Sequence, residues 1–191
     1  MSSYNKPDFW SLKAKREGYP ARSVYKLQEM DEKFGLFPQQ AASAPFKTLD
    51  LGAAPGSWTL YALRVMGDRG FLAASDLAPL RLSGDPAKLK NVFFTQGDIT
   101  APETRDILCS HGPYNLVMSD AAPETTGNGG VDRLRSLALA EAALEYGDAA
   151  LAEGGTLVLK VFQSDGAQGL LKRMRERFAK ASGFKPRACR S

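Results

Sequence analysis

The chain reads as an α/β protein on a doubly wound, mostly parallel sheet. Two observations predict this. From Phe46 onward, short apolar segments alternate with longer amphipathic ones, the pattern of βαβ units whose sheet is covered on both faces. Each of the first four short segments carries an Asp at or just past its end: Asp50, Asp76, Asp98 and Asp120. Right-handed crossovers wind such units into an open sheet. Its ligands sit at the carboxyl ends of the strands.

Each element has its own signal. Val24, Leu27, Met30 and Phe34 recur at helical spacing, with Pro20 before the first turn, so Ser23–Phe34 is predicted helical. Gln39–Pro45 is rich in small residues and reads as a loop. Thr48–Leu51 is a strand and Ser57–Met66 a helix. Phe71–Ser75, Val92–Thr95 and Leu116–Ser119 are three further strands. A long helix is expected from about Asp132 to Leu151, with Leu134, Leu137, Leu144 and Leu151 on one stripe. Thr156–Phe162 is a fifth strand, and Gly166–Ala181 a last amphipathic helix. Ala121–Val131, with Gly127, Gly129 and Gly130, is expected to be a mobile loop or a long crossover at the edge of the site.

The 191 residues are room for one domain, 1–191, with a basic extension over 1–22 and a basic helix and tail over 168–191. No run of 18 apolar residues is present, which excludes a transmembrane helix, and Met1–Lys15 has no apolar secretory core. Two cysteines, Cys109 and Cys189, make no disulfide framework and suggest a reducing compartment, the cytoplasm. A single histidine, His111, excludes most zinc sites and any relay of two histidines, so no metal is expected. Acid–base work must then fall to Lys, Asp, Glu, Tyr or Cys.

The net charge of +4 hides a segregation. Residues 1–26 carry six basic and two acidic side chains, residues 168–191 eight and one, and the middle of the chain eleven and eighteen. Either basic run alone could be a solvated face. Two runs flanking an acidic middle point to a polyanion such as nucleic acid.

Asp50-Leu51-Gly52-Ala53-Ala54-Pro55-Gly56-Ser57-Trp58 closes the first strand and opens a helix. It is either a plain tight turn or a place where a ligand approaches the backbone. The glycine spacing departs from the dinucleotide fingerprint. Pro55 removes an N–H that a pyrophosphate would use, so the turn favours a nucleoside without phosphates. The Asp after the second strand suits ribose hydroxyls, and the one after the third an adenine amine. Any single Asp at a strand end could be a turn former or a cap. Four converging on one sheet edge is a much less likely accident.

Together these segments resemble the FtsJ/RrmJ-type ribose 2′-O-methyltransferases. The resemblance rests on Asp50–Trp58, on Met118-Ser119-Asp120-Ala121-Ala122-Pro123, on Val158-Leu159-Lys160-Val161-Phe162-Gln163 and on Ser23-Val24-Tyr25-Lys26-Leu27. It runs from about Tyr19 to Ser191. It implies a Rossmann-like S-adenosylmethionine-dependent methyltransferase sheet, with Gly52, Gly56, Trp58, Asp76, Asp98 and Asp120 lining the cofactor pocket. It further implies Lys26, Asp120 and Lys160 as catalytic members of a Lys-Asp-Lys-Glu tetrad. The Glu and a final strand are expected past a basic segment like Lys185–Ser191, so neither is expected in this sequence. The implied reaction is methylation of a uridine ribose in large-subunit ribosomal RNA, within the assembled subunit, by a monomer. The alternatives are transfer RNA as substrate, or an RNA-binding or ribosome-assembly protein without turnover.

The residues themselves allow this chemistry. Methyl transfer from a sulfonium needs alignment, and a ribose hydroxyl needs a base. Lys160 ends an apolar strand, where burial lowers a lysine pKa, and a neighbouring sulfonium would push the same way. Asp120 would orient it, and Lys26 could steady the oxyanion or a phosphate. A strand-end lysine snorkelling to solvent is the plainer alternative for Lys160 taken alone. Trp58 either covers the cofactor or packs the first helix. Tyr25 and Phe9 or Trp10 either stack a base or pack the N-terminal segment.

Overall fold

The computed structural model describes residues 8–38, 44–82 and 90–189. Their elements are α1 (Phe9–Arg16), α2 (Val24–Phe34), β1 (Lys47–Leu51), α3 (Ser57–Met66), β2 (Phe71–Asp76) and β3 (Val92–Gln96). There follow α4 (Pro102–Ser110), β4 (Tyr114–Ser119), α5 (Gly129–Ala150), β5 (Leu151–Leu159) and α6 (Asp165–Arg177). The five strands form one sheet in the order β3-β2-β1-β4-β5, every pair parallel. The strand order reverses between β1 and β4. That reversal opens a crevice at their carboxyl ends, where ligands of such sheets bind.

Alternation along the strands splits the core into two layers. Leu72, Ala74, Leu116 and Met118 face α2 and α3, packing on Leu27, Trp58 and Ala62. Leu49, Leu51, Ala73 and Val117 face the other way, onto Leu108, Ala143 and Tyr146 of α4 and α5. Asp50, between Leu49 and Leu51, therefore points into the α2/α3 layer and is fully buried.

Several sequence expectations shift. The 1–22 extension contains α1, whose Ala14 is buried against Val24, Tyr25 and Ala188. Its eight residues are too few to give a clear periodic signal. The helix α4 is likewise absent from the sequence expectations; its Pro102 sits in the first turn. The helix α5 starts at Gly129, because the Asn128 side chain caps the Gly130 and Val131 N–H groups. The loop after β4 is thus Ala121–Asn128, and Gly129, Gly130 and Val131 belong to the helix.

Leu144 is buried as expected and Leu137 packs beside it, but Leu134 is exposed; α5 also buries Tyr146 and the small Ser136, Ala140, Ala143, Gly147 and Ala150, which let helix and sheet approach closely. The strand β5 begins directly at Leu151 and ends at Leu159, earlier than Thr156–Phe162, so Lys160 lies just beyond it. The helix α6 ends at Arg177, not Ala181. Most of the loop expected over Gln39–Pro45 lies outside the described residues.

Candidate active site

The turn after β1 is fixed by backbone bonds to its neighbour strand. The Gly52 and Ala53 N–H groups both donate to the Ser75 carbonyl, at 2.9 and 3.1 Å. Gly52 has φ 75°, and a Cβ there would meet the Ala121 Cβ at 2.6 Å. Glycine is thus required for the turn to pass under the β4 loop. Gly56, at φ 116°, is the left-handed residue that opens α3.

Asp76 closes the same turn from β2. Its Oδ2 accepts from the Ala54 N–H at 2.9 Å and its Oδ1 from Ala78 at 2.8 Å. Each oxygen keeps a further lone pair. Asp98 is exposed, and its Oδ1 accepts from the N–H and hydroxyl of Thr100, both at 2.8 Å. Trp58 is 3% exposed, and its indole N–H donates to the Ser23 carbonyl at 2.9 Å. It packs α3 against the start of α2 while an edge lines the cleft. Ser57 Oγ accepts from the Ala21 N–H at 2.7 Å and ties the same junction. The cleft so formed is lined by Ser23, Gly52, Ala53, Pro55, Trp58 and Asp120.

At one end of this cleft three charged side chains meet. Lys26 comes from α2, Asp120 follows β4 and Lys160 follows β5. Lys26 Nζ lies 3.2 Å and Lys160 Nζ 3.0 Å from the same oxygen, Asp120 Oδ1. Lys160 Nζ also donates to the Asp120 backbone carbonyl at 2.6 Å, and the Lys160 N–H to the Ser119 carbonyl at 2.9 Å. Side chain and backbone of Lys160 are therefore both fastened to the end of β4. The three side chains are each only 15–23% exposed. Burial pushes the Lys160 ammonium below its ordinary pKa, Asp120 opposes that, and the Lys26 charge adds to it.

Beneath the cleft, Asp50 accepts from Thr59 Oγ1 at 2.6 Å through Oδ2. Its buried Oδ1 has no partner among the described residues. Burial raises its pKa to about 7; the Thr59 bond opposes this, and the Asp120 and Asp76 charges add to it. The sequence presented Asp50 only as one of four strand-end carboxylates; its burial follows from its place on a central strand.

Not every expected residue joins the site. Tyr25 is 2% exposed, donates to Glu17 and packs on Trp10, so it is unavailable for stacking a base. Lys13 lies over the Trp10 and Tyr25 rings. On α6, Arg173 and Arg177 pair with Glu141 and Asp148 of α5. They also lie roughly 12–18 Å along the helix from its site-side start. Arg173 and Arg177 are thus engaged with α5, while Lys172 and Arg175 of the same helix are exposed. The segment after it returns, with Ala188 buried beside Val24 and Tyr25 and with Lys185 and Arg187 exposed.

The model of the FtsJ-like methyltransferases matches residues 19–191. The chain belongs to this family. Two bacterial proteins named ribosomal RNA large subunit methyltransferase E are close relatives. That of Treponema denticola is 48% identical over 190 residues, covering 100% of this chain and 92% of the relative. That of Nitratidesulfovibrio vulgaris is 43% identical over 192 residues, covering 100% and 90%. Among solved structures, a ribosomal RNA methyltransferase of Plasmodium falciparum superposes with a TM-score of 0.72 at 25% identity, over 89% of this chain and 93% of that one. The fold is thus the Rossmann-like methyltransferase sheet, and the protein is a methyltransferase.

Proposed function

We propose that the chain transfers a methyl group from S-adenosylmethionine to the 2′-hydroxyl of a uridine ribose in large-subunit ribosomal RNA, within the assembled subunit. On this reading residues 1–191 act as one methyltransferase domain, as a monomer in the cytoplasm. The observation that carries it is the convergence of Lys26 and Lys160 on one Asp120 oxygen at the end of the cleft. The names of the relatives support the choice of RNA.

The cleft fits the cofactor by charge. Asp120 lines it, and Asp76 bonds the Ala54 N–H of its wall. Asp50, two residues before Gly52, is fully buried, and its Oδ1 has no partner among the described residues. A sulfonium and an ammonium are the kind of charge such a site attracts. Gly52, Gly56 and the edge of Trp58 would hold the nucleoside end, with Asp76 on the ribose and Asp98 toward the base. S-adenosylmethionine supplies an activated methyl whose departure leaves a neutral thioether.

The chain's own work is to bind, orient and move a proton. A neutral lysine keeps two N–H donors and one lone pair. Lys160 has two acceptors on Asp120, the carbonyl and Oδ1, and giving a proton to each leaves the lone pair to face the ribose hydroxyl. Burial and the Lys26 charge favour that neutral form. Lys160 Nζ then takes the hydroxyl proton as the methyl arrives, and Lys26 stabilises the developing charge on the ribose oxygen.

The test is transfer from radiolabelled S-adenosylmethionine to three acceptors: assembled large-subunit particles, protein-free ribosomal RNA and transfer RNA. Label in one nucleotide of the particle RNA, resistant to alkaline cleavage, is the expected outcome. Label in transfer RNA would replace the substrate assignment. Binding without label in any acceptor would make this a ribosome-assembly factor.

A further inference from the structure

The face of α2 that carries Lys26 has a second task. Arg22, in the turn leading into the helix, and Lys26, Glu29 and Lys33 are spaced four, three and four residues apart, which puts them on one helical face. Lys26 reaches Asp120. The other three hold the segment that follows α6. Glu29 accepts two consecutive backbone N–H groups, Arg187 at 2.9 Å through Oε2 and Ala188 at 3.1 Å through Oε1. Arg22 donates to the Ala188 carbonyl at 2.6 Å. The Lys33 ammonium lies 4.3 Å over the Phe184 ring, whose edge meets Phe34. Ala188 itself is buried against Ala14, Val24 and Tyr25.

This arrangement bears on Lys26 in two ways. First, the returning segment is fastened on both sides of Lys26 along the helix, by Arg22 four residues before it and by Glu29 three residues after it. A long lysine side chain loses rotamer freedom when it is held in one geometry. A wall beside it removes competing rotamers in advance. Second, Glu29 stands three residues after Lys26, close enough to draw its ammonium along the helix and away from Asp120. With each Glu29 oxygen bonded to a backbone N–H, that competition is weakened.

We propose that Glu29, assisted by Arg22, is a positioning residue for methyl transfer: by gripping the 187–188 backbone it seats the returning segment against α2 and directs Lys26 to Asp120. This rests on the reading of Lys26 and Asp120 as part of the transfer site. The hydrogen bonds of the grip hold backbone groups, and the small Ala188 side chain fits the space beside Val24 and Tyr25.

The test uses Glu29→Gln, which keeps the shape but leaves an amide NH2 facing one backbone donor, and Arg22→Met, which loosens the same segment from its other side. Three readouts are taken: amide hydrogen exchange at Arg187 and Ala188, cofactor affinity by calorimetry, and single-turnover transfer to large-subunit particles. Exchange at both amides should accelerate by about tenfold or more. Cofactor affinity should stay within about twofold. Transfer should fall by about 10–100-fold, the size expected for a misplaced catalytic group. In a Lys26→Ala background Glu29→Gln should add little further loss, because its effect runs through Lys26.

A full additional loss in that background overturns the proposal. So do wild-type transfer rates with both amides released, in either variant. A wild-type protein that transfers no methyl group overturns the functional reading and this role with it. Normal wild-type transfer with equally normal transfer by both variants overturns this role alone.

Discussion

Lys160 holds Asp120 by two separate atoms: its Nζ lies 2.6 Å from the Asp120 backbone carbonyl and 3.0 Å from Oδ1. Oδ1 is also the oxygen that Lys26 reaches. One carboxylate oxygen thus serves two ammonium groups from opposite sides of the sheet reversal. A surface ion pair would do little for stability. Here the pair's significance lies in its asymmetry: Lys160 is bonded to backbone as well as carboxylate, and Lys26 to the carboxylate alone. The first is fixed to the sheet, and the second depends on its helix.

Lys160→Ala should abolish most transfer, with a loss of roughly 10²–10⁴ in single-turnover rate and little change in cofactor affinity. Lys160→Arg should fail almost as badly, since arginine stays protonated at any working pH. It retains charge and can still reach Asp120. A near-native rate for the arginine variant would mean that only positive charge is needed at 160, and the proton-acceptor role would be withdrawn.

The pH profile separates the two lysines. If neutral Lys160 is the active form, transfer rises with pH on an acid limb that reports its pKa. Burial holds that pKa below the ordinary lysine value, Asp120 raises it and Lys26 lowers it. Lys26→Met removes a like charge, so Lys160 should lose its proton less readily and the limb should move to higher pH. Asp120→Asn removes the opposing charge, so the limb should move to lower pH while the plateau falls. Limbs that coincide in all three proteins would exclude Lys160 as the titrating group.

Much of this site was legible in the sequence because its parts sit where strand periodicity ends. Gly52, Gly56, Asp76 and Asp120 follow apolar segments, and a parallel sheet brings such ends together without further information. The segment Ser57–Met66 was bounded correctly because Gly56 and Gly67 punctuate it. What failed was decided by contacts distant in sequence. Leu134 is exposed because α5 turns Leu144, Tyr146 and several small residues inward, and the small ones carry little hydrophobic signal. The pairing of Arg173 and Arg177 with Glu141 and Asp148 of α5 joins residues 32 and 29 positions apart, which charge counting does not show. The grip of Glu29 on a backbone more than 150 residues away leaves no local trace beyond its spacing from Lys26.

Asp50→Asn should change how stability depends on pH. Burial raises the Asp50 pKa from 3.8 to about 7. Between these values the folded protein keeps the proton and the unfolded chain releases it. Stability therefore falls as pH rises through this window, by on the order of 4 kcal/mol at full effect. The amide of the variant resembles the protonated acid, can still accept from Thr59, and does not titrate. Urea unfolding at pH 5 and pH 8.5 should show the wild type losing stability relative to the variant at the higher pH. Equal losses in both proteins would mean that Asp50 does not carry the proton.

The nucleic-acid surface is the last prediction, and it differs from what charge counting alone suggests. Lys15 and Arg16 on α1 are exposed, as are Lys185 and Arg187 on the segment that α2 grips. The first pair lies on the helix packed against α2, and the second on the segment that Arg22 and Glu29 hold. Arg173 and Arg177 are instead engaged with Glu141 and Asp148 near the far end of α6. Reversing Lys15, Arg16, Lys185 and Arg187 to Glu should weaken binding to ribosomal RNA and flatten its salt dependence. The logarithmic slope should drop by about 0.7–0.9 for each phosphate that is no longer neutralised. Reversing Arg173 and Arg177 should leave affinity and slope alone and cost a little stability, because each Glu would then face an acid on α5. Cofactor affinity should not change in either variant. The comparison is made by titrating binding over a range of salt concentrations. A larger loss from the α6 pair than from the other four would put the RNA on the α5/α6 side and detach it from Lys26.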